Sequence, residues 1–340
     1  MGILRLLLAI TVFCFHSGLS SSLGMTIIDG RAAVFCFFAV SGFYMEMVLS
    51  EKYNRERLGS SYLKMFYSAR FWRLYPTYIL IVLATTLISV AYPHIELPKV
   101  LDMSHNVGLL ANVRSIVTWF FNISMLFLNI PSVFDLVIGP SWSVGIEISF
   151  YAVAPFLLRL KAWPLIMLSI FGILLQLIPY GQHSPILFGF HFFLLGAFAR
   201  RYTFKIESWV SHIGNPPLLL LYATVFVILF FAIPGNIYFG PSINHAHNTV
   251  SDFIYPVIIA GLIPLLHERT YNLKIDSWIG QLSYPFYLLH ALIIECFTGW
   301  LYIYKVPLLL LLCLSLSIII VLFEMRFIEP WRSRFAYKRI

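Results

Sequence analysis

Charged side chains are scarce in this sequence. Asp, Glu, Lys and Arg make up 11% of the 340 residues, whereas hydrophobic residues make up 60%. A soluble globular domain has about 25% charged residues. Apolar stretches of about 20 residues recur along the chain, and such stretches are typical of transmembrane helices. The composition therefore excludes an ordinary soluble domain and predicts an all-α, polytopic transmembrane helix bundle.

Cysteine is also rare, and its spacing indicates no bound metal. The four cysteines lie in apolar runs, and no pair has the spacing of a metal site or a redox motif. Internal repeats, low-complexity segments and long linkers are missing from the sequence as well. We therefore expect free buried thiols, no metal site, and a single membrane domain over residues 1–340. The cysteines are Cys14, Cys36, Cys296 and Cys313.

Basic residues are distributed unevenly between the apolar segments, and this predicts the topology. With the N-terminus in the cytoplasm, all but four of the 23 Lys and Arg residues fall in cytoplasmic segments. Positive residues near helix ends stay on the cytoplasmic side. The bias favours about ten spans with both termini in the cytoplasm, and it explains the net charge of +8 without a nucleic-acid partner. The predicted spans are 4–22, 31–50, 74–93, 141–159, 163–180, 185–200, 217–234, 252–267, 281–300 and 306–327.

Two apolar segments allow a second interpretation. The first begins RLLLAITVFCFH at Arg5, and it resembles a secretory signal peptide because small residues follow its apolar core. Another candidate span follows at once, so retention as the first helix fits the topology. The segment 115–134 is apolar enough to span the membrane. If it were counted as a span, however, all later segments would change sides, and their basic residues would no longer be cytoplasmic. We therefore interpret 115–134 as a re-entrant or interfacial segment.

Polar side chains interrupt four of the predicted spans. His16, Ser41, Glu147 and His290 fall at roughly the same depth when the predicted topology is drawn. Polar groups are costly in hydrocarbon, so they usually face a cavity or one another. Each of them alone is equally consistent with a structural hydrogen bond between helices. Four such groups at one depth favour a shared site.

An arginine pair precedes the third predicted span. Arg70 and Arg73 are three residues apart, so they share one face of a helix. Two interpretations compete for this pair. It either anchors the helix at the cytoplasmic face, or it forms a fork that binds phosphate through paired N–H donors.

Short motifs follow one another in order along nearly the whole chain. They are the Arg-x10-His spacing of Arg5 and His16, AVFCFFAVSGF, RFWR, PSWSVGIEISFYAVAP, FFLLGAFAR, IGQLSYPFYLLH and FIEP. Together they resemble the integral-membrane acyltransferase-3 family, which O-acylates carbohydrates. Phe35 departs from the family pattern because many members have Asp at this position. Any role of that Asp therefore does not carry over to this chain.

The resemblance implies acyl transfer from a cytoplasmic acyl-coenzyme A, most often acetyl-CoA, to a hydroxyl of a cell-surface glycan. O-antigen and exopolysaccharide are examples of such acceptors, and a lipid-linked saccharide is another. The acyl-CoA would be a donor substrate and not a permanently bound cofactor. The resemblance also implies a multi-pass protein of the cell inner membrane. We expect no extramembrane catalytic domain, so the chemistry would lie within the membrane bundle.

Three arginines and one histidine take the central roles that the resemblance implies. Arg5, Arg70 and Arg73 would bind the donor phosphates at the basic face. His16 would be the general base that removes the proton of the sugar hydroxyl, because a neutral imidazole suits that task. Arg5 and His16 are separated by about 16 Å along a helix. A thioester could therefore reach His16 while its nucleotide stays on the cytoplasmic side.

The remaining candidates surround the base. Glu147 would orient and polarise the imidazole, as the carboxylate of a triad does, or it would hold the acceptor. Ser41 would act near the thioester carbonyl, and an acyl-enzyme on serine or histidine stays open. Trp142 and Ser143 would contact the substrate. His290 would also contact the substrate, as a second acid or base, or it would be a structural partner.

Two other functional classes share some of these features. A transporter or flippase of lipid-linked glycans also has many spans and polar groups at mid-membrane. Such a protein more often shows internal repeats, and the sequence has none. A sensor that uses the same fold without chemistry is a weaker alternative. The presence of His16, Arg70, Arg73 and Glu147 together favours the enzyme.

Overall fold

Helices dominate the computed structural model, which describes residues 1–19, 27–92, 95, 109–128, 135–177, 189–206, 208, 216–231, 238–243, 246–297 and 305–335. Gly59–Ser61 form a 3₁₀ turn, Glu324–Ile328 form a π-helical turn, and an antiparallel hairpin pairs Tyr238–Ile243 with Ala246–Thr249. In chain order the elements are α1 (Gly2–His16), α2 (Gly30–Glu51), α3 (Arg55–Leu58), α4 (Tyr62–Ala91), α5 (Leu109–Ser124), α6 (Ser141–Leu157), α7 (Ala162–Leu177), α8 (Phe190–Arg201), α9 (Leu218–Phe230), β1 (Tyr238–Ile243), β2 (Ala246–Thr249), α10 (Val250–Thr270), α11 (Lys274–Cys296), α12 (Val306–Phe323) and α13 (Glu329–Phe335).

The all-α prediction is confirmed for the bundle, and a helix overlaps each predicted span. The hairpin is a small addition that the sequence analysis did not predict. Within the described residues, four helical segments are long and apolar enough to cross a membrane, and three apolar helices are shorter. The span count of about ten and the location of the termini stay predictions. The four long segments are Gly30–Glu51, Arg55–Ala91, Ser251–Thr270 and Val306–Arg332.

The third span differs most from its predicted boundaries. It was expected over 74–93, but α4 already begins at Tyr62. The residues that precede Pro76 contain no helix breaker, and the helix continues through this proline. Arg70 and Arg73 therefore lie inside one long continuous helix, which holds them rigidly relative to the bundle.

The segment 115–134 lies partly outside the described residues, which end at 128 and resume at 135. Its described part belongs mainly to α5, where Ile116 and Phe120 are exposed while Asn122 is buried. The Asn122 amide donates to the Asp135 carbonyl over 2.9 Å and accepts from the Val137 backbone N–H over 2.9 Å. The chain thus returns to the end of α5 just before α6 begins. The re-entrant interpretation stays a prediction.

α1 and α11 pack side by side in parallel. The Asp276 carboxylate, in the first turn of α11, accepts hydrogen bonds from the backbone N–H groups of Gly2 and Ile3 over 2.6 and 3.0 Å. Gly280 lies directly against Gly2, where a Cβ on Gly280 would come within 2.9 Å of the Gly2 Cα. The carboxylate therefore supplies acceptors for free donors at the start of α1. This contact fixes the helix register that places Arg5 and His16.

α2 lies between α1, α6, α8 and α10, and its closest approach is to α8. A Cβ on Gly42 would lie 1.9 Å from the Phe193 carbonyl oxygen, and a Cβ on Gly196 would lie 1.8 Å from the Ala39 carbonyl oxygen. Helices in lipid associate through close packing of small residues, because the hydrophobic effect does not drive them together. The two glycines, which belong to the SGF and FFLLG motifs, therefore have a structural role at this crossing.

The close crossing predicts the effect of adding one methyl group. Gly42→Ala and Gly196→Ala should each lower the thermal unfolding midpoint and the yield of folded protein, because backbone atoms must move and overpacking costs about 1–3 kcal/mol. Gly261→Ala is the matched control, since nothing lies within 4 Å of a Cβ there. Midpoints are measured in the same detergent. Equal midpoints for all three variants would contradict the assigned packing role.

Candidate functional site

Ser41 on α2 and Glu147 on α6 meet between the two helices. The Glu147 Oε1 atom accepts a hydrogen bond from the Ser41 hydroxyl over 2.7 Å and a second from the Tyr151 hydroxyl. The two hydroxyl oxygens are 3.3 Å apart. Tyr151 follows Glu147 by one helical turn, so both side chains leave α6 on the same face. We call Ser41, Glu147 and Tyr151 the neck.

A cavity of about 940 Å³ lies on one side of the neck, and we call it the basic cavity. Its volume is in the usual range of roughly 300–1,000 Å³ for small-molecule sites. Arg5, Arg70 and Arg73 line it. It meets a second, narrow cavity of about 60 Å³ that continues past the neck. Both cavities are lined by Arg5, Tyr44, Arg73, Glu147 and Tyr284.

Carboxylates also line the basic cavity, and three of them form ion pairs. Glu51 pairs with Arg200, Glu329 with Arg332, and Asp276 with the amino group of Met1. Glu147 and Glu324 instead accept hydrogen bonds from neutral hydroxyls. By contrast, none of Arg5, Arg70 and Arg73 forms an ion pair with any described residue. Within the described residues, these three arginines outnumber the two carboxylates without an ion pair, so the walls of the cavity keep an excess of positive charge.

The Arg70 guanidinium is the least satisfied of these groups. Its Nε and Nη1 atoms are buried, and they have no hydrogen-bond partner in the described part of the chain. The group lies near two aromatic rings, 5.8 Å from the centroid of Phe66 and 5.9 Å from that of Tyr151. Buried donors in proteins almost always have a partner. The orphaned N–H groups therefore indicate that an acceptor, most simply an anion, completes this site.

The two histidines form a second polar pair, at the far ends of α1 and α11. The His16 Nδ1 and His290 Nε2 atoms are 3.4 Å apart, and the ring centroids are 5.2 Å apart. His290 is fully buried, and its Nδ1 atom is hydrogen-bonded to the Tyr287 carbonyl. His16 is exposed at this end of the bundle. We call His16 and His290 the histidine pair.

The neck and the histidine pair lie at different depths. Ser143 on α6 and Tyr287 on α11 serve as a common reference height, because their hydroxyl oxygens are 2.8 Å apart. Glu147 is one turn below Ser143 on α6, and His290 is one turn above Tyr287 on α11. At 1.5 Å per residue this separates Glu147 from His290 by about 10 Å along the helix axes.

This geometry differs from the expectation of one shared depth. Glu147 is hydrogen-bonded to Ser41 and Tyr151, and His16 is hydrogen-bonded to His290. A triad-like orientation of His16 by Glu147 is therefore not the arrangement in this structure. Depth had been estimated from helix positions alone, and the predicted ends of the spans were not accurate enough to resolve two turns.

The other predicted substrate contacts lie near the narrow cavity. Ser143 lines this cavity and also donates to the Pro140 carbonyl over 3.0 Å. Trp142, on the first turn of α6, is half-buried and packs against the hydrophobic core. Tyr151 and Tyr287 were not predicted as site residues. Their spacing from Glu147 and His290, four and three residues along a helix, was the signal that could have identified them.

Phe35 and Arg31 account for the departure from the family motif. Phe35 is fully buried and stacks on Phe192, with ring centroids 4.4 Å apart. Arg31 forms a bidentate ion pair with the buried Asp252 of α10, with N–O distances of 2.6 and 3.3 Å. A carboxylate is therefore present in this region of the bundle, but it comes from a different helix.

Comparison with known proteins confirms the resemblance in the motifs. The family profile described as "Acyltransferase domain" matches residues 1–324. The chain belongs to this acyltransferase family. The acyltransferase is 28% identical over 323 residues to the peptidoglycan O-acetyltransferase OatA of Listeria monocytogenes. The aligned region covers 87% of this chain and 49% of that protein. The chain thus spans about half the length of this curated relative. No solved structure matches the acyltransferase.

The neck predicts a coupling that stability measurements can detect. Ser41→Ala and Tyr151→Phe each remove one donor to the same Glu147 oxygen, so their effects on the unfolding midpoint should not add. Coupling energies in such networks are about 0.5–3 kcal/mol. Ser169→Ala is the control, because its hydroxyl bonds only the Leu165 carbonyl on α7. The account would be contradicted if the midpoint shifts of Tyr151→Phe and Ser41→Ala added in the double variant as fully as those of Tyr151→Phe and Ser169→Ala. The shared carboxylate would then not organise the neck.

Proposed function

We propose that this acyltransferase transfers an acetyl group from acetyl-CoA to a hydroxyl of a cell-surface glycan. The observation that carries the proposal is the buried Arg70 guanidinium on the wall of the basic cavity, because two of its N–H groups lack a partner among the described residues. Coenzyme A is a polyanion with a long, narrow arm. A basic cavity joined to a narrow passage has the shape and charge that such a donor requires.

The donor phosphates bind at the arginines. Arg70 and Arg73 present N–H groups in the planar geometry that phosphate accepts in pairs. Arg5 lies on α1 and lines the same cavity, so it brings a third positive charge toward the donor. Three of the carboxylates on the cavity walls are in ion pairs, so their charges are compensated and they add little repulsion. Opposite charges attract strongly in this setting because the surrounding protein and lipid have a low dielectric constant.

The pantetheine arm then passes the neck. Val34, Phe37 and Phe38 supply an apolar wall to the narrow cavity, while Ser41 and Glu147 supply polar groups. The arm has the same mixed character, with methylene groups and two amides. We assign Ser41 and Glu147 to binding and alignment of the arm. In this proposal Ser41 is not the nucleophile; its hydroxyl donates to Glu147 and lines the narrow cavity beside the arm.

Transfer occurs at the histidine pair. His16 removes the proton of the acceptor hydroxyl as the hydroxyl oxygen attacks the thioester carbonyl. The carbon–oxygen bond forms, the carbon–sulfur bond breaks, and His16 returns the proton to the departing sulfur. The products are the O-acetylated glycan and free coenzyme A. The exposure of His16 at this end of the bundle gives a hydrophilic acceptor access to it.

The acceptor lies on the side of the membrane opposite to the donor. We propose ten spans, cytoplasmic termini and a location in the cell inner membrane, since the basic residues gather where the donor binds. The name of the Listeria relative specifies peptidoglycan, which makes peptidoglycan one candidate acceptor beside O-antigen and exopolysaccharide. Membership in an acyltransferase family favours this reaction over the transport of lipid-linked glycans.

Replacement of the base tests the reaction. His16→Gln keeps the hydrogen-bonding capacity and approximate size but cannot accept a proton at neutral pH. Glycan O-acetylation should fall by about 10²–10⁴-fold, the usual contribution of a positioned base. Acetyl groups on surface glycans are measured by mass spectrometry in cells that carry the wild-type chain, the variant or neither. Retention of near-normal acetylation at matched protein level would overturn this role of His16.

The donor site has its own test. Arg70→Lys should weaken binding of coenzyme A to the purified protein by about 10-fold or more, because an ammonium group cannot replace a bidentate fork. Arg159→Gln is the control, since Arg159 lies outside the basic cavity and packs over the Tyr62 ring at 4.7 Å. Binding is measured by calorimetry in detergent. Unchanged affinity for coenzyme A in Arg70→Lys would contradict the donor site and favour the interpretation that Arg70 anchors the helix.

A further inference from the structure

The hydrogen bonds of the histidine pair determine where its protons lie. A carbonyl oxygen can only accept, so the His290 Nδ1 atom must carry a hydrogen to bond the Tyr287 carbonyl. A neutral imidazole has one N–H group and one acceptor nitrogen. The His290 Nε2 atom is therefore an acceptor. It lies 3.4 Å from the His16 Nδ1 atom, which must then be the donor.

A positively charged His290 would reverse the second hydrogen bond, but its surroundings oppose that state. The side chain is fully buried between α1 and α11, and its ring packs against His16 and Tyr287. A buried charge needs a partner of opposite sign. Its ring nitrogens contact a neutral carbonyl and a second imidazole. The neutral form with the hydrogen on Nδ1 is consistent with both contacts.

We infer that His290 is a positioning residue that holds His16 in the tautomer with its hydrogen on Nδ1, which leaves the His16 Nε2 lone pair free to act as the base. This inference rests on the proposed function and gives His290 a task other than substrate contact. It also assigns to an imidazole the orienting task that a carboxylate performs in a triad. Glu147 is then free to serve the neck.

The orientation of His16 by His290 has a consequence for catalysis. An unconstrained histidine distributes its hydrogen between the two nitrogens, and only one of these tautomers presents Nε2 as a base. The alignment of the ring would also be lost without a partner at Nδ1. Loss of the orienting partner in a triad lowers turnover by up to about 10⁴-fold. Loss of the orienting imidazole should likewise lower the turnover number and leave the affinity for the donor unchanged.

The direct test is the tautomer of His16 in the full-length protein. Nitrogen-15 NMR of the histidine-labelled protein distinguishes Nδ1–H from Nε2–H rings, and His16→Gln identifies the signal of His16 by its loss. We expect an Nδ1–H ring at His16 in the wild type. In His290→Leu this signal should shift toward the Nε2–H form. An Nε2–H ring in the wild type, or the same tautomer in both proteins, would overturn the inference.

Activity measurements complete the test. His290→Leu should lower kcat for acetyl transfer by about 10²-fold or more with an unchanged KM for acetyl-CoA. His290→Gln offers an amide oxygen to the His16 N–H, so it should preserve the tautomer and recover at least a tenth of kcat. His191→Leu is the control, because it removes another buried imidazole from α8. Equal losses in the leucine and glutamine variants would also contradict the positioning role.

The two proposals fail in different ways. If the wild-type protein acetylates no glycan, the proposed function fails, but the NMR result still decides the tautomer. If acetylation is intact and the His16 tautomer does not depend on His290, only the positioning role fails. A folding defect in His290→Leu would be recognised from its unfolding midpoint, and the glutamine variant then carries the comparison.

Discussion

The parallel packing of α1 against α11 fixes both ends of the candidate site. At the start of the two helices, Asp276 binds the first backbone N–H groups of α1, and Gly2 contacts Gly280. At their far ends, His16 meets His290. Because both helices rise by the same distance per residue, one contact sets the register of the other. Arg5 is thereby held on the basic cavity while His16 is held about 16 Å away.

In the proposed function, this separation divides two tasks between two levels. A polyanionic donor would need positive charge without an ion-pair partner, and Arg70 on the basic cavity would supply it. Proton transfer would need an imidazole in a defined tautomer, and the histidine pair would supply it. A single site for both tasks would place the arginines beside the imidazole and make its protonation harder. The neck lies between the two levels, and the narrow cavity extends past it to Ser143 and Tyr287.

Much of this arrangement could be predicted from the sequence because it follows local rules. Apolar segments identified the helices, and the three-residue spacing of Arg70 and Arg73 put both on one face. The depth of each polar side chain along the helix axes was harder to predict. The third membrane span was placed at 74–93, and the apolar pattern did not show that the helix already begins at Tyr62, because the segment before Pro76 contains charged and polar residues. The pairing of Ser41 with Glu147, and of His16 with His290, depends on how helices distant in the sequence rotate about their axes.

The motif glycines illustrate the same limit. Gly42 and Gly196 lie in motifs that resemble those of an acyltransferase family, and the motifs alone do not tell whether a glycine binds substrate or packs. The structure gives them a packing role, since each faces a backbone carbonyl of the opposite helix. Sequence alone cannot separate these roles because the identity of a contact across two helices is not encoded in local spacing. The contacts of Tyr151 and Tyr287 were missed for the same reason.

Transfer across the membrane is the central claim, and proteoliposomes of known orientation test it most directly. Acetyl-CoA is supplied on the side where a cysteine at Ser60 reacts with an impermeant label, and an oligosaccharide acceptor is enclosed on the other side. We predict that acetylated acceptor forms only when donor and acceptor are on opposite sides, with the donor on the Ser60 side. Equal acetylation with both substrates on one side would contradict the account.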